Sequence, residues 1–344
     1  MKVSNQFWRF DIHVLKRVSF LNCSPRRFLN GPSTKWGLMP ALLALASEPP
    51  LRFLVKATLK LGYKITPKVF QLASLFDAIP YTRYALGLLT AARYAREAGI
   101  NGFSAVEFGV AKGNGLLALT RYAALVSQQT GLEIQVAGFD TGSGLPPPQG
   151  YRDVIWHYSA GEYAGDPDNL RKRLGGRTQY ILGDVAATFP DWLHATNLPL
   201  GFVSVDVDFY SSTRAILDPL ANIAAEKLLP ITEFYFDDIL CHGVPHCVGE
   251  LAAVTEFNKL NPSRQFDKED WIREWRPYGE KLWLQRLYAL YCFDPPRITA
   301  GSHIWRSALV NRDRCRSLVN VPAAVPGLHY YISRACAECQ RSTE

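Results

Sequence analysis

The chain has 344 residues, of which 48% are hydrophobic and 20% charged, and a formal net charge of +7. That length and composition fit a globular protein able to bury a sizeable core, and they exclude a disordered chain and a small disulfide-held scaffold. The charge is uneven: residues 1–70 carry twelve Lys and Arg against Asp11 and Glu48, a net of +10, which leaves −3 for the other 274 residues.

In chain order, residues 1–50 mix basic and aromatic residues with Pro25, Pro32, Pro40 and Pro49–Pro50, which predicts short helical pieces joined by turns. Charges interrupt the start where a signal peptide would run apolar, and the longest apolar stretch, Leu38–Ala46, is too short to span a bilayer. A soluble cytoplasmic protein is expected. The basic lead-in fits a solvated helical face. It fits equally a weak contact with an anionic membrane surface, a phosphate or an acidic partner.

Apolar and basic residues alternate at helical spacing over 51–61, and two further helices are predicted at 67–79 and 81–98, parted by Pro80. The pattern then changes to short apolar runs alternating with helical segments. Strands are expected at 103–108, 134–139, 179–182, 201–205 and 231–236, with helices near 116–127, 167–174, 211–227 and 248–260. A long polar loop follows Asp140. Beyond Asn261, the Trp271–Trp275 and Leu282–Phe293 segments are aromatic-rich, the second reading as a strand pair or a long edge strand, and the Arg-rich residues 296–344 read as an extension. The expected domains are a basic helical region (1–98), an α/β domain (99–295) and the extension.

Strands alternating with helices predict a mostly parallel, doubly wound sheet, whose ligands bind outside the carboxyl ends of the strands. Each predicted strand end carries glycines or an acid. The first runs into Glu107-Phe-Gly109-Val-Ala-Lys-Gly113-Asn-Gly115. From Gly113 this segment matches a dinucleotide pattern, the basis of a competing NAD(P)-dependent oxidoreductase reading. The apolar run, however, ends at Phe108, so the tight turn starts at Gly109. Glu107 then stands where an acid reaches the amino group of a methionine moiety. Asp140 is placed to accept a ribose diol, and Asp184 either caps the next helix or approaches an adenine.

The fourth strand delivers Asp206-Val-Asp208 and the fifth Asp237-Asp238. If these strands are neighbours, their acids crowd together and call for a hard divalent cation such as Mg2+, which would lower the pKa of an acceptor hydroxyl. Between Cys241 and Cys247, His242 and His246 are candidates for a general base, because the loop after the fifth strand should overhang the pocket. The seven cysteines are scattered, and the terminal Cys336–Cys339 pair has no second pair to complete a zinc module.

The stretch from about 103 to 258 resembles the macrocin-type class I S-adenosylmethionine-dependent O-methyltransferases. The matching segments are Val106–Gly113, Gly138–Pro146, Asp206–Thr213, Phe236–Asp238 and Gly249–Phe257. The resemblance implies a Rossmann-like fold and S-adenosylmethionine as methyl donor. It also implies Mg2+ held by Asp206, Asp237 and Asp238, with Asp208 as a fourth ligand or a shaper of the turn, and a hydroxyl acceptor, often on a sugar. The expected partners are thus a small-molecule acceptor, glycosylated or phosphorylated, and a second copy of the chain, with no specific nucleic acid. Lys-Leu-Leu-Pro230 departs from the Gly-Gly turn usual before the fifth strand. A non-catalytic relative that keeps only the shape is the third reading.

Overall fold

The computed structural model describes residues 51–63, 67–269 and 281–294. Three helices come first: α1 Leu51–Gly62, α2 Pro67–Leu75 and α3 Thr82–Glu97. The second stops four residues short of its predicted end. Asp77 turns left-handed at φ 49°, and the Ala78 amide closes back on the Ala73 carbonyl, 2.8 Å away.

Then follow β1 Gly102–Phe108, α4 Asn114–Thr130, β2 Glu133–Asp140, α5 Pro167–Leu174, β3 Gln179–Leu182, α6 Val185–Ala195, β4 Leu200–Val205, α7 Tyr210–Asn222, β5 Leu228–Phe236 and α8 Gly249–Leu260. The described residues end with β6 Arg264–Lys268 and β7 Leu287–Cys292. Several of these boundaries correct the sequence reading, and α7 stops at Asn222, short of the predicted 227. Strand β5 starts three residues early and runs through Pro230, beside a register irregularity against β4, where a missing N–H does no harm. The aromatic segment 282–293 forms a single strand after a short 3-10 turn, and it is not an edge strand but lies between β5 and β6. Trp271–Trp275, residues 1–50 and the 296–344 extension lie outside the described residues.

The sheet order is β3-β2-β1-β4-β5-β7-β6, with β1 to β5 parallel and β7 antiparallel to both β5 and β6. This is a doubly wound, Rossmann-like α/β sheet, as the alternation predicted. Successive residues of β1 feed opposite layers: Phe103 and Ala105 join the core under α2, α3 and α4, whereas Val106 and Phe108 join the core under α6, α7 and α8. Helix α3 is buried along most of its length against β1, β4 and β5. A boundary at residue 98 therefore cuts through one continuous core. Strand order reverses between β1 and β4, and their carboxyl ends face the switch point at which ligands bind in such sheets. Among the described residues no helix is long and apolar enough to cross a membrane.

Candidate active site at the carboxyl ends of the strands

Strand β1 ends at Phe108, and Gly109 turns at φ +79° with its amide donated to the Phe139 carbonyl at 3.0 Å. A Cβ on Gly109 would stand 1.7 Å from the Asp206 carbonyl oxygen, so the loop backbone lies directly on the end of β4. Gly113, also left-handed, caps α4 and packs against Leu170. Glu107 is buried just before the turn. Its Oε1 accepts from the Tyr84 hydroxyl at 2.6 Å, and the Ser204 hydroxyl donates to the Tyr84 oxygen at 3.0 Å. A Cβ on Gly115 would come within 2.0 Å of that same Oε1. The second oxygen, Oε2, is buried without a partner. Burial pushes the Glu107 carboxyl up to about 8, against the lowering effect of Tyr84 and Arg83.

Asp140 has an employment that the sequence did not reveal. Its Oδ2 accepts from the amides of Val110 and Ala111 at 2.7 and 2.8 Å, and its Oδ1 from Gly142 at 2.6 Å. Both oxygens thus pin the glycine loop and the turn after β2, with only their remaining lone pairs left for a ribose. Asp184 is exposed and caps α6 through the Ala186 amide at 2.9 Å. Of its two expected roles the structure shows the cap, because β3 ends directly into a helix whose first amides need an acceptor.

The acids of β4 and β5 do meet. The two strands are neighbours, and backbone bonds from Asp206 to Phe108 and from Asp237 to Val205, at 3.0 and 2.9 Å, tie the ends of β1, β4 and β5 together. Asp206, Asp237 and Asp238 each offer an oxygen within 4.8 Å of the others. Burial first, then Asp237, Asp238, Asp208 and Glu107, hold Asp206 well above the usual carboxylate range. Asp208 turns left-handed at φ 60° and is buried, with side-chain hydrogen bonds to Tyr158 and Asp238. Burial, Asp208 and Asp237 push Asp238 up to about 8. Asp237 is steadied from outside: its Oδ1 accepts from Tyr235 at 2.5 Å and pairs with Arg286 at 3.2 Å. Half-buried oxygens in such mutual repulsion, with no nitrogen or sulfur donor in the group, fit a hard divalent cation.

Sequence reading missed the residues that surround these acids. Tyr84 and Arg83 come from α3, outside the expected domain, and Arg83 lies 4.9, 5.2 and 4.8 Å from the rings of Tyr81, Tyr84 and Tyr235. Glu250, fully buried at the start of α8, accepts from the Asp238 amide at 3.1 Å and leaves its Oε1 unpartnered. Tyr163, exposed and left-handed at φ 63°, stands within the field of Asp208, Asp238 and Asp206. The one visible signal was a lone Arg286 between two apolar runs. Tyr84 looks like any other residue of an amphipathic helix.

No protein-family model matches the chain, and no curated protein matches it in sequence. Several solved structures do. The calicheamicin methyltransferase CalS11 is similar over 62% of this chain and 85% of its own, at 18% identity and a TM-score of 0.37. The O-methyltransferase NovP is similar over 60% and 78%, at 16% identity and a TM-score of 0.42. The plantazolicin methyltransferase BpumL, solved with S-adenosylhomocysteine (SAH), covers 74% and 98% at 14% identity and a TM-score of 0.31. The fold itself is established by this chain's own strand order.

The two histidines stand apart from this arrangement. His242 and His246 are exposed on the turn after β5, and neither bonds to an aspartate of the cluster. The loop does follow β5, but Tyr158, buried beside Cys241 with its hydroxyl 4.0 Å from the Cys241 sulfur, fills the space under it.

Proposed function

We propose that the chain is an S-adenosylmethionine-dependent methyltransferase that methylates a hydroxyl with the help of Mg2+. The acceptor we infer is a sugar or another small natural-product or glycan molecule, in line with the macrocin-type motifs. One observation carries this reading: the oxygen-only cluster of Asp206, Asp237 and Asp238 adjoins a glycine loop whose first turn lies on the Asp206 backbone.

Glu107 holds the donor's end of the site. Its partnerless Oε2 suits the ammonium of a methionine moiety, while Tyr84 keeps the other oxygen fixed. The Gly109–Gly113 backbone, pinned by Asp140, sets the approach of the donor to β4. Asp206, Asp237 and Asp238 would hold the metal, with Tyr235 and Arg286 fixing Asp237. Bound there, Mg2+ would lower the pKa of an acceptor hydroxyl and orient its oxygen. Asp208, buried and hydrogen-bonded to Tyr158 and Asp238, is a carboxyl outside the ligand group that could accept the proton. Tyr163, exposed and within the electrostatic reach of these acids, offers a ring suited to the face of an acceptor. With the acceptor oxygen held in line, orientation alone supplies roughly 7–11 kcal/mol of the barrier. The dinucleotide alternative would set Glu107 beside a pyrophosphate, which brings no cation to its partnerless Oε2.

Calorimetry with SAH tests the donor, and the absence of binding overturns the reading. For the metal, Asp237→Asn is expected to reduce Mg2+-dependent turnover about a hundredfold or more while SAH affinity stays nearly unchanged. Equal turnover in EDTA would refute the metal's part.

A further inference from the structure

Helix α1 is at odds with the rest of the molecule. None of its twelve residues is buried. Leu59 packs toward the core and Gly62 lies against Val69, which fixes the inner face. At 100° per residue, Leu51, Phe53, Leu54, Ala57 and Leu61 fall on one outer arc, and the one polar residue among them, Thr58, turns its hydroxyl back to the Leu54 carbonyl at 3.0 Å. Phe53, Leu54 and Leu61 are 62%, 63% and 79% exposed. Lys60 and Lys56 stand along one border of that arc, with Arg52 beyond them beside Leu59 and 5.3 Å from the Phe53 ring, and no acid occurs between Glu48 and Asp77. The first 70 residues carry +10 and the remainder −3.

We propose that α1 is a membrane-surface helix, which lies in the interface of an anionic lipid bilayer with its outer arc among the acyl chains. An apolar strip bordered by charges of one sign is the pattern that buries into such an interface while its lysines meet lipid phosphates. At about 1.5 Å per residue the helix is about 18 Å long, enough to lie along a bilayer surface and too short to cross it. Helix α1 itself carries three basic residues and no acid, so an anionic surface attracts it, whereas residues 71–344 sum to −3. An acidic protein partner would attract the basic border but would leave the large outward apolar side chains without a match.

The test is co-sedimentation of the full chain with phosphatidylcholine vesicles, with and without phosphatidylserine, at low and at raised salt. Binding is expected only with phosphatidylserine, and it should weaken as salt rises. Lys60→Gln should weaken it about fivefold, and the pair Leu54→Glu with Leu61→Glu should abolish it. SAH affinity and thermal unfolding should stay unchanged in both variants, since these side chains point away from the core. The proposal is overturned if phosphatidylserine gives no enrichment, or if the glutamate pair binds vesicles like the parent. It is equally overturned if that pair instead changes the oligomeric state of a chain that does not bind vesicles, which would assign the face to a second copy.

Discussion

Glu107 has one oxygen tied to Tyr84 and another buried with no partner, so its charge is expensive until a cation arrives. Removing the Tyr84 hydroxyl should free the carboxylate to rotate. Tyr84→Phe is therefore expected to weaken SAH binding about tenfold, a cost in the range of one hydrogen bond to a charged group. Calorimetry as a function of pH separates positioning from mere packing: Tyr84→Phe should move the pH at which affinity appears, whereas a packing defect would leave it in place. The proton acceptor can be assigned in the same way. His242→Ala and His246→Ala should change turnover by less than about threefold, while Asp208→Asn should lower it about a hundredfold or more. The reverse order in steady-state rates would restore the histidines.

At the scale of elements, the site depends on where strands and helices stop. Gly109 exists because β1 and β4 end at the same height and leave no room for a Cβ. Helix α7 ends through a different device. Arg264, on β6, donates to the carbonyls of Leu220 and Ile223 at 2.6 and 2.7 Å and pairs with Asp294. It thereby satisfies the last turn of a helix whose first turn borders Asp208. Arg264→Ala leaves those carbonyls and Asp294 uncompensated, and should cost about 2–3 kcal/mol in urea unfolding. Activity at low temperature should be largely retained, because the lost contacts lie at the far end of α7.

For the whole molecule, the gathered acids make stability depend on pH with a definite sign. Glu107 and Asp238 are held up to about 8 by burial, so between their ordinary values and about 8 the folded chain binds more protons than the unfolded one. Stability from these groups is therefore full at acid pH and is lost as pH rises to about 8. The slope is at most about 1.4 kcal/mol per pH unit for each group. Thermal denaturation in EDTA should show the midpoint falling from about pH 5 to pH 8. Mg2+ should raise the midpoint most at the alkaline end, and Glu107→Gln should flatten its share of the fall. A midpoint that rises with pH in EDTA would contradict the burial of these carboxylates.

What the sequence determined by itself was local or periodic. Strand β3 and helix α5 match their predicted spans, the end of β1 at Phe108 fixed the start of the turn, and the acids at the ends of β4 and β5 were legible as one cluster because neighbouring parallel strands present their carboxyl ends together. Tertiary structure decided which polar group meets which. Only packing brings Tyr84 across from α3 to Glu107, turns Asp140 back onto the glycine loop, and seats Glu250 under the Asp238 amide. These contacts span 23, 30 and 12 residues, and no spacing rule encodes them. Periodicity reports which face of an element is buried; the partner across that face is chosen by the sheet order, which brings distant segments together.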